Sequence, residues 1–388
     1  MIALSDSYLS SNAFQSRYNY EPDVSVSAPA RVNLIGEHTD YNEGFVLPAA
    51  LSFYTRVCLS VRTDNQIRAI SSSFSNDLVQ FALTEVHQVG DGHWSKYLRG
   101  VIQCFVEDFS LQTGFDIYIT SDVPQGAGLS SSASLCVALV RAISEALDIE
   151  LSGERAARLA QRVENEFVGC ACGIMDQLAS ALCKKNRGMH LDCRDLSTVH
   201  VLIPQTLKLI IIHSNVRRDL VESEYNARRA QCFSAARKLG VSSLRKVSIE
   251  QLGYAREVLS DIEYRRVKHV VTENARTHQF ADALASGNVL EIGRLMKASH
   301  RSMRDDFDIT VEAVDQLVEI VEDSLQGLGG VRMTGGGFGG CVVVLCPLEQ
   351  TEKVINDVAL SYQRLTGIKE TVFTPDFAEG AFAADAQR

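Results

Sequence analysis

Pro124-Gln125-Gly126-Ala127-Gly128-Leu129-Ser130-Ser131-Ser132-Ala133-Ser134 is the stretch from which the fold of this chain is read. Before it, Phe115-Asp116-Ile117-Tyr118-Ile119-Thr120 alternates as a strand does. After it, Leu135, Ala138, Leu139, Ala142, Ile143, Ala146 and Leu147 recur at helical spacing. A glycine-bearing loop therefore leads from a strand into a helix. Two readings are open. Glycines let a backbone approach a ligand closely. The first N–H groups of a helix lack partners and sit at its positive end, which suits a phosphate. The serine hydroxyls add donors, and one of them can hold a magnesium ion. Alternatively the turn is tight and a serine only caps the helix, for which one serine suffices. The loop is not a Walker A loop, because no Gly-Lys-Ser/Thr follows. Gly335, Gly337 and Gly340 match Gly-x-Gly-x-x-Gly, but Cys341-Val342-Val343-Val344-Leu345 reads as a strand where a dinucleotide fingerprint needs a helix.

The chain's 388 residues leave room for two or three domains. Hydrophobic residues make up 46% and charged ones 22%, enough for sizeable cores. A formal charge of −10 argues against nucleic-acid or membrane-surface partners. An anionic substrate would then need local cations or a metal. The first residues lack the apolar core of a secretory signal, and no apolar run is long enough to span a bilayer. With ten cysteines spread through mostly apolar runs, reduced thiols and a cytoplasmic location are expected. Cys170-Ala171-Cys172 hints at a metal, but no second Cys or His pair stands at zinc-site spacing, which disfavours that reading.

Strands are expected over 24–28, 54–61, 67–72, 78–81, 189–192 and 207–213. Helices are expected over 94–105, 154–168, 174–182, 217–239, through 249–302, and over 311–325. The pattern is α+β rather than regular βαβ alternation. A division near residue 205 separates mixed strands and helices (1–205) from a mostly helical second part (206–388). The last residues read as a loose tail.

Four places carry chemistry. Glu37-His38-Thr39-Asp40 packs two carboxylates, an imidazole and a hydroxyl behind Gly36. Carboxylates accept several hydroxyl hydrogens, so the cluster suits a polyol; a solvated turn is the other reading. Asp176 falls in the first turn of a helix after Gly173, either as a dipole-favoured acid or as a base kept ionised by an arginine such as Arg31. Glu164 lies on the border of its helix's apolar stripe, within reach of a metal or simply solvated. Val331-Arg332-Met333-Thr334-Gly335-Gly336-Gly337-Phe338-Gly339-Gly340 holds five glycines in its last six positions. That many suggest a backbone passing close to another loop or a ligand; a wide turn between strands is the alternative.

Together these stretches resemble the GHMP family of sugar and metabolite kinases. The serine loop resembles its second motif and Gly335 to Gly340 its third. Arg31-Val32-Asn33-Leu34-Ile35-Gly36-Glu37-His38-Thr39-Asp40-Tyr41-Asn42 and Gly173-Ile174-Met175-Asp176-Gln177 are similar to the segments that mark its galactose-phosphorylating branch. The resemblance runs from about Ala28 to Gly367. It implies a two-domain fold, the first like the second domain of ribosomal protein S5 and the second ferredoxin-like. It implies Mg2+ as cofactor, and ATP and galactose as substrates of a sugar 1-kinase acting as a monomer. Asp176 would take the proton of the anomeric hydroxyl or favour the nucleophile electrostatically, with Arg31 beside it. Glu37, His38, Thr39, Asp40, Gly173 and Tyr225 would hold the sugar. Gly126, Ala127, Gly128, Leu129, Ser130, Ser131 and Ser132 would wrap the ATP phosphates, with Ser71 and Trp94 bordering the nucleotide. Ser132 and Glu164 would ligate magnesium. The rivals are a kinase for N-acetylgalactosamine or arabinose, and a galactose- and ATP-binding regulator without turnover.

Overall fold

The computed structural model describes residues 6–73, 76, 78–88, 94–216 and 221–384. The first five residues, the last four and Arg217, where a helix was expected to begin, lie outside the described residues.

The first part of the chain runs α1 (Asp6–Tyr18), β1 (Val24–Asn33), β2 (Phe45–Val46), β3 (Pro48–Val61), β4 (Gln66–Ser71), β5 (Leu78–Ala82), α2 (Ser95–Phe109), β6 (Phe115–Ser121), α3 (Ser131–Ala146), α4 (Gly153–Arg162), α5 (Met175–Leu182), β7 (Arg187–Asp192) and β8 (Thr198–Leu202). One sheet has the order β1-β3-β6-β4-β5 and a smaller one β2-β7-β8. The β4–β6 pair is parallel and the others are antiparallel. Pro48 is tolerated as the first residue of β3, where its missing donor matters least. The register of β1 against β3 shifts between Pro29 and Ala30, a local irregularity just before Arg31. The apolar stripe read from Leu135 onward packs α3 against the larger sheet, where Val137, Leu139 and Ile143 are fully buried with Ile117 and Leu59.

The expected helix over 154–168 divides. Its α-helical part ends at Arg162, and Val163–Val168 winds as a wider π-turn closed by Gly169 at φ +85°. The wider turn rotates the side chains after Val163 relative to the α-helical stripe. Glu164 is consequently buried at 5% exposure rather than solvated.

The second part runs β9 (Leu207–His213), α6 (Val221–Lys238), α7 (Leu252–Val258), α8 (Asp261–Ala285), α9 (Val289–Ser302), α10 (Glu312–Leu325), β10 (Gly330–Thr334), β11 (Cys341–Pro347), α11 (Thr351–Thr366) and β12 (Thr371–Phe373). α8 starts where Ser260 and Glu263 cap each other's backbone N–H groups. The antiparallel order β10-β11-β9-β12, with helices between β9 and β10 and α11 between β11 and β12, is the ferredoxin-like arrangement. An apolar cluster ties the two parts together: Val32 of β1 and Leu34 just after it pack with Ile211, Val343 and Leu295. That cluster sets the start of the polar loop after β1 against the glycine-rich turn between β10 and β11.

Candidate active site

Arg31 and Asp176 come together. Arg31 Nε donates to Asp176 Oδ1 at 2.7 Å and Nη2 donates to Oδ2 at 2.5 Å, a two-point pair that fixes both planes. β1 supplies the arginine and the first turn of α5 the acid. Arg31 Nη1 also donates to the Gly128 carbonyl at 2.8 Å, and its backbone N–H to the Leu129 carbonyl at 3.2 Å. The pair is thereby seated against the serine loop.

Of the two readings of that loop, helix capping does not hold. Ser130 stands at the cap position with φ +60° and makes no capping hydrogen bond. Its hydroxyl donates to Asp176 Oδ2 instead. Ala127 and Leu129 turn their side chains into the core, each 1% exposed. They can offer a ligand only backbone, while Gly126, Gly128 and Ser130 to Ser132 border a cavity of about 740 Å³.

The polar loop forms the opposite wall. Glu37 Oε1 accepts from Arg332 Nη2, Thr334 Oγ1 and the Gly335 N–H, each at 2.9 Å. Its Oε2 accepts from Asn33 Nδ2 at 3.2 Å. Arg332 is fully buried and donates further to the carbonyls of Leu34 and Asn33. His38 has φ +59°, and its Nδ1 meets the Tyr41 hydroxyl at 2.7 Å. Its ring lies 5.0 Å from that of Tyr225 and 4.9 Å from that of Phe307. Burial, with help from His269, drops its pKa to about 3, so the imidazole is neutral. Burial and the charge of Asp176 push Asp40 up to about 7. Gly173 is required there: a Cβ on it would sit 2.0 Å from Asp40 Oδ2.

Glu37, His38, Asp40, Gly173, Asp176 and Tyr225 all line the same cavity. Thr39 is the departure from the expected set. It is fully buried, and its hydroxyl donates inward to the carbonyls of Gly36 and Phe45 at 2.9 and 2.7 Å. It shapes the loop and has no donor left for a ligand.

The glycine-rich turn does pass close to other backbone. A Cβ on Gly335 would come 3.4 Å from the Gly128 carbonyl, and one on Gly337 would come 2.6 Å from the Ile309 carbonyl.

Ser132 donates to Glu164 Oε2 at 3.0 Å, and Gln177 Nε2 donates to Oε1 at 2.8 Å. Burial and then the charge of Asp176 raise Glu164 to about 7. A buried carboxylate with a hydroxyl beside it is a fitting pair of oxygen ligands for a hard divalent cation. Ser71 and Trp94 do not face the large cavity. They border an adjoining recess of about 210 Å³, with Tyr97, Ile119 and Leu135, that shares Gly126, Ser131 and Ser132 with it.

Arg332, Asn33 and Gln177 gained no role from the sequence. An arginine between Val331 and Met333 in an otherwise apolar strand was the available signal, since a buried guanidinium demands a partner.

Three family models match: "GHMP kinases N terminal domain" over residues 96–184, "Galactokinase galactose-binding signature" over 12–61, and "GHMP kinases C terminal" over 280–363. Among solved structures, Lactococcus lactis galactokinase complexed with galactose is 29% identical, with 97% of this chain and 99% of that one covered and a TM-score of 0.92. Methanococcus jannaschii mevalonate kinase (19% identical, 92% and 98% covered, TM-score 0.63) shares the fold. So does Streptococcus pneumoniae phosphomevalonate kinase in complex with phosphomevalonate and AMPPNP (14%, 90% and 100%, TM-score 0.62).

Proposed function

We infer function from one premise: the chain belongs to the GHMP kinase family. We propose that it transfers the γ-phosphoryl group of ATP to the anomeric hydroxyl of D-galactose, giving galactose 1-phosphate and ADP. The observation that carries this reading is the Arg31–Asp176 pair, placed between the serine loop and the wall built from the galactose-binding signature.

Phosphoryl transfer is mostly positioning and charge stabilisation. In this reading Gly126 to Ser132 cradle the phosphates through backbone N–H groups and hydroxyls, and the base and ribose extend toward Ser71 and Trp94. The sugar lies against Glu37, His38, Asp40, Gly173 and Tyr225. A carboxylate has about four acceptor positions. Three on Asp176 are taken by Arg31 and Ser130, which leaves one, on Oδ1, for the reacting hydroxyl. Arg31 keeps its Nη1 face toward the phosphate loop, where charge develops. Ser132 and Glu164 would hold Mg2+, which when bound neutralises phosphate charge in a chain of net charge −10. Neutral His38 and the fixed Glu37 favour hydroxyl recognition. A site built to hydrogen-bond a hydroxyl can reject its absence by as much as ~10⁴–10⁵.

A monomer is part of this reading. The domain division near residue 205 belongs to this reading and is supported by β9, the first strand in the sheet of the second part, beginning at Leu207. All ten cysteines are free thiols, which supports a cytoplasmic location. No helix among the described residues is long and apolar enough to cross a membrane.

The test is ADP release with Mg-ATP and a panel of galactose, glucose, N-acetylgalactosamine, arabinose and 2-deoxygalactose. Galactose should be used fastest and glucose poorly. Preference for another sugar, or no sugar-dependent ADP release, overturns the reading.

A further inference from the structure

Cys170 and Cys172 have no part in the chemistry above, yet both line the cavity. The π-turn brings them back over Glu164. The Cys170 N–H donates to the Glu164 carbonyl at 2.9 Å, and the Cys172 N–H to the Cys170 carbonyl at 2.8 Å. One ligand atom each from Glu164, Cys170 and Cys172 then lies within 4.8 Å of the other two. Gln177 Nε2 reaches both Glu164 Oε1, at 2.8 Å, and Cys172 Sγ, at 3.6 Å. A single outer group therefore steadies two of the three.

We propose that Glu164, Cys170 and Cys172 form a binding site for a thiophilic divalent cation of the zinc class, open to the cavity and sharing Glu164 with the magnesium position. Cys sulfur and Glu oxygen are both zinc ligands, and three protein ligands leave a fourth position open to the cavity. Thiolate selects zinc over magnesium, whereas Ser132 and Glu164 alone present only oxygen. Occupancy releases the thiol protons. A zinc ion seated there takes Glu164 out of magnesium's reach, so it inhibits phosphoryl transfer. The spacing of the two cysteines could not reveal this site, because the third ligand is a glutamate that only the π-turn delivers. Binding itself does not depend on the proposed kinase reaction; the inhibition does.

The whole chain, kept reduced with a non-thiol reductant, is titrated with Cd2+ and with Zn2+. One ion per chain is expected, with a sulfur-to-metal charge-transfer band in the ultraviolet for Cd2+. Zn2+ affinity should fall in the folded Cys170→Ser/Cys172→Ser double variant by at least the roughly 10–100-fold typical of losing an outer-sphere partner. Absence of the charge-transfer band in the unsubstituted protein overturns the site without recourse to any variant, as does unchanged Zn2+ affinity in the double variant. If the band appears while Zn2+ leaves sugar-dependent ADP release untouched, the sharing of Glu164 is overturned.

Discussion

The two walls of the cavity are held in different ways. The wall from Asn33 to Asp40 is clamped by the second half of the chain. Glu37 meets Arg332, Thr334 and Gly335. Its carbonyl accepts from His269 Nε2 at 3.0 Å, and the Gly36 N–H reaches Glu273, itself paired with Arg276 at 2.6 Å. The wall from Gly126 to Ser132 is anchored by two apolar side chains, by Arg31 and by serine hydroxyls bonded to carboxylates. Hydroxyls can turn from a carboxylate to a phosphate or a metal at little cost; a buried guanidinium–carboxylate pair cannot exchange partners. The contrast teaches that stereochemistry is read by atoms fixed in advance, while charge is handled by groups free to change partner.

The largest expected effect breaks the link between the walls. Asp176→Ala should lower kcat by about 10²–10⁴-fold, the usual worth of a positioned base, while ATP binding survives. Turnover close to that of the unsubstituted protein, measured by ADP release, would refute the assigned role.

Next comes the clamp. Arg332→Met leaves the Glu37 carboxylate buried without its cation, and a broken buried pair costs about 3–5 kcal/mol. Urea unfolding should show that loss. Ser132→Ala, on the other wall, removes one hydrogen bond to a buried carboxylate, worth about 1.5–3 kcal/mol, and should also raise the magnesium requirement. Equal stability losses for the two variants would erase the contrast.

A smaller effect sharpens it. Gly337→Ala places a Cβ 2.6 Å from the Ile309 carbonyl at a backbone φ of +91°. Strain of this kind costs roughly 1–3 kcal/mol. Gly126→Ala, where a Cβ would meet nothing within 4 Å, keeps only the penalty of its φ of +70° and should be the milder of the two in the same unfolding experiment.

How far these walls could be read from sequence follows from how local their determinants are. The strand over 207–213 has the expected bounds because its apolar run decides it alone. Arg31 to Asp40 stood out because the polar cluster is contiguous. The Arg332–Glu37 pair was invisible, since its members are 295 residues apart and meet only through the packing of two sheets. Solvation stayed open for Glu164 because a 3.6-residue period puts it at the border of the apolar stripe, where the chain in fact winds a π-turn. Thr39 looked like a ligand contact because composition does not show which way a loop hydroxyl turns. Helix capping by a serine stayed open because the left-handed backbone of Ser130, which aims its hydroxyl at Asp176, has no mark in the sequence.

The smallest effect concerns pH. Burial, reinforced by Asp176 and Glu37 and opposed by Arg31, raises Asp40 to about 7 from an ordinary value of 3.8. Tyr225 and Cys193 also lie within its field. Between roughly pH 4 and 7 the folded chain therefore keeps a proton on Asp40 that the unfolded chain has released. Stability from this group falls as pH rises through that window. Sugar binding should run the other way, because an ionised Asp40 accepts hydroxyl hydrogens at both oxygens. The expected result is a galactose KM that falls a few-fold from pH 6 to pH 8, with the slope flattened in Asp40→Asn. A KM that rises over that range would mean the sugar is held by the neutral acid. Asp40 would then donate to galactose rather than accept from it, and the fixed wall would recognise its ligand with the opposite polarity.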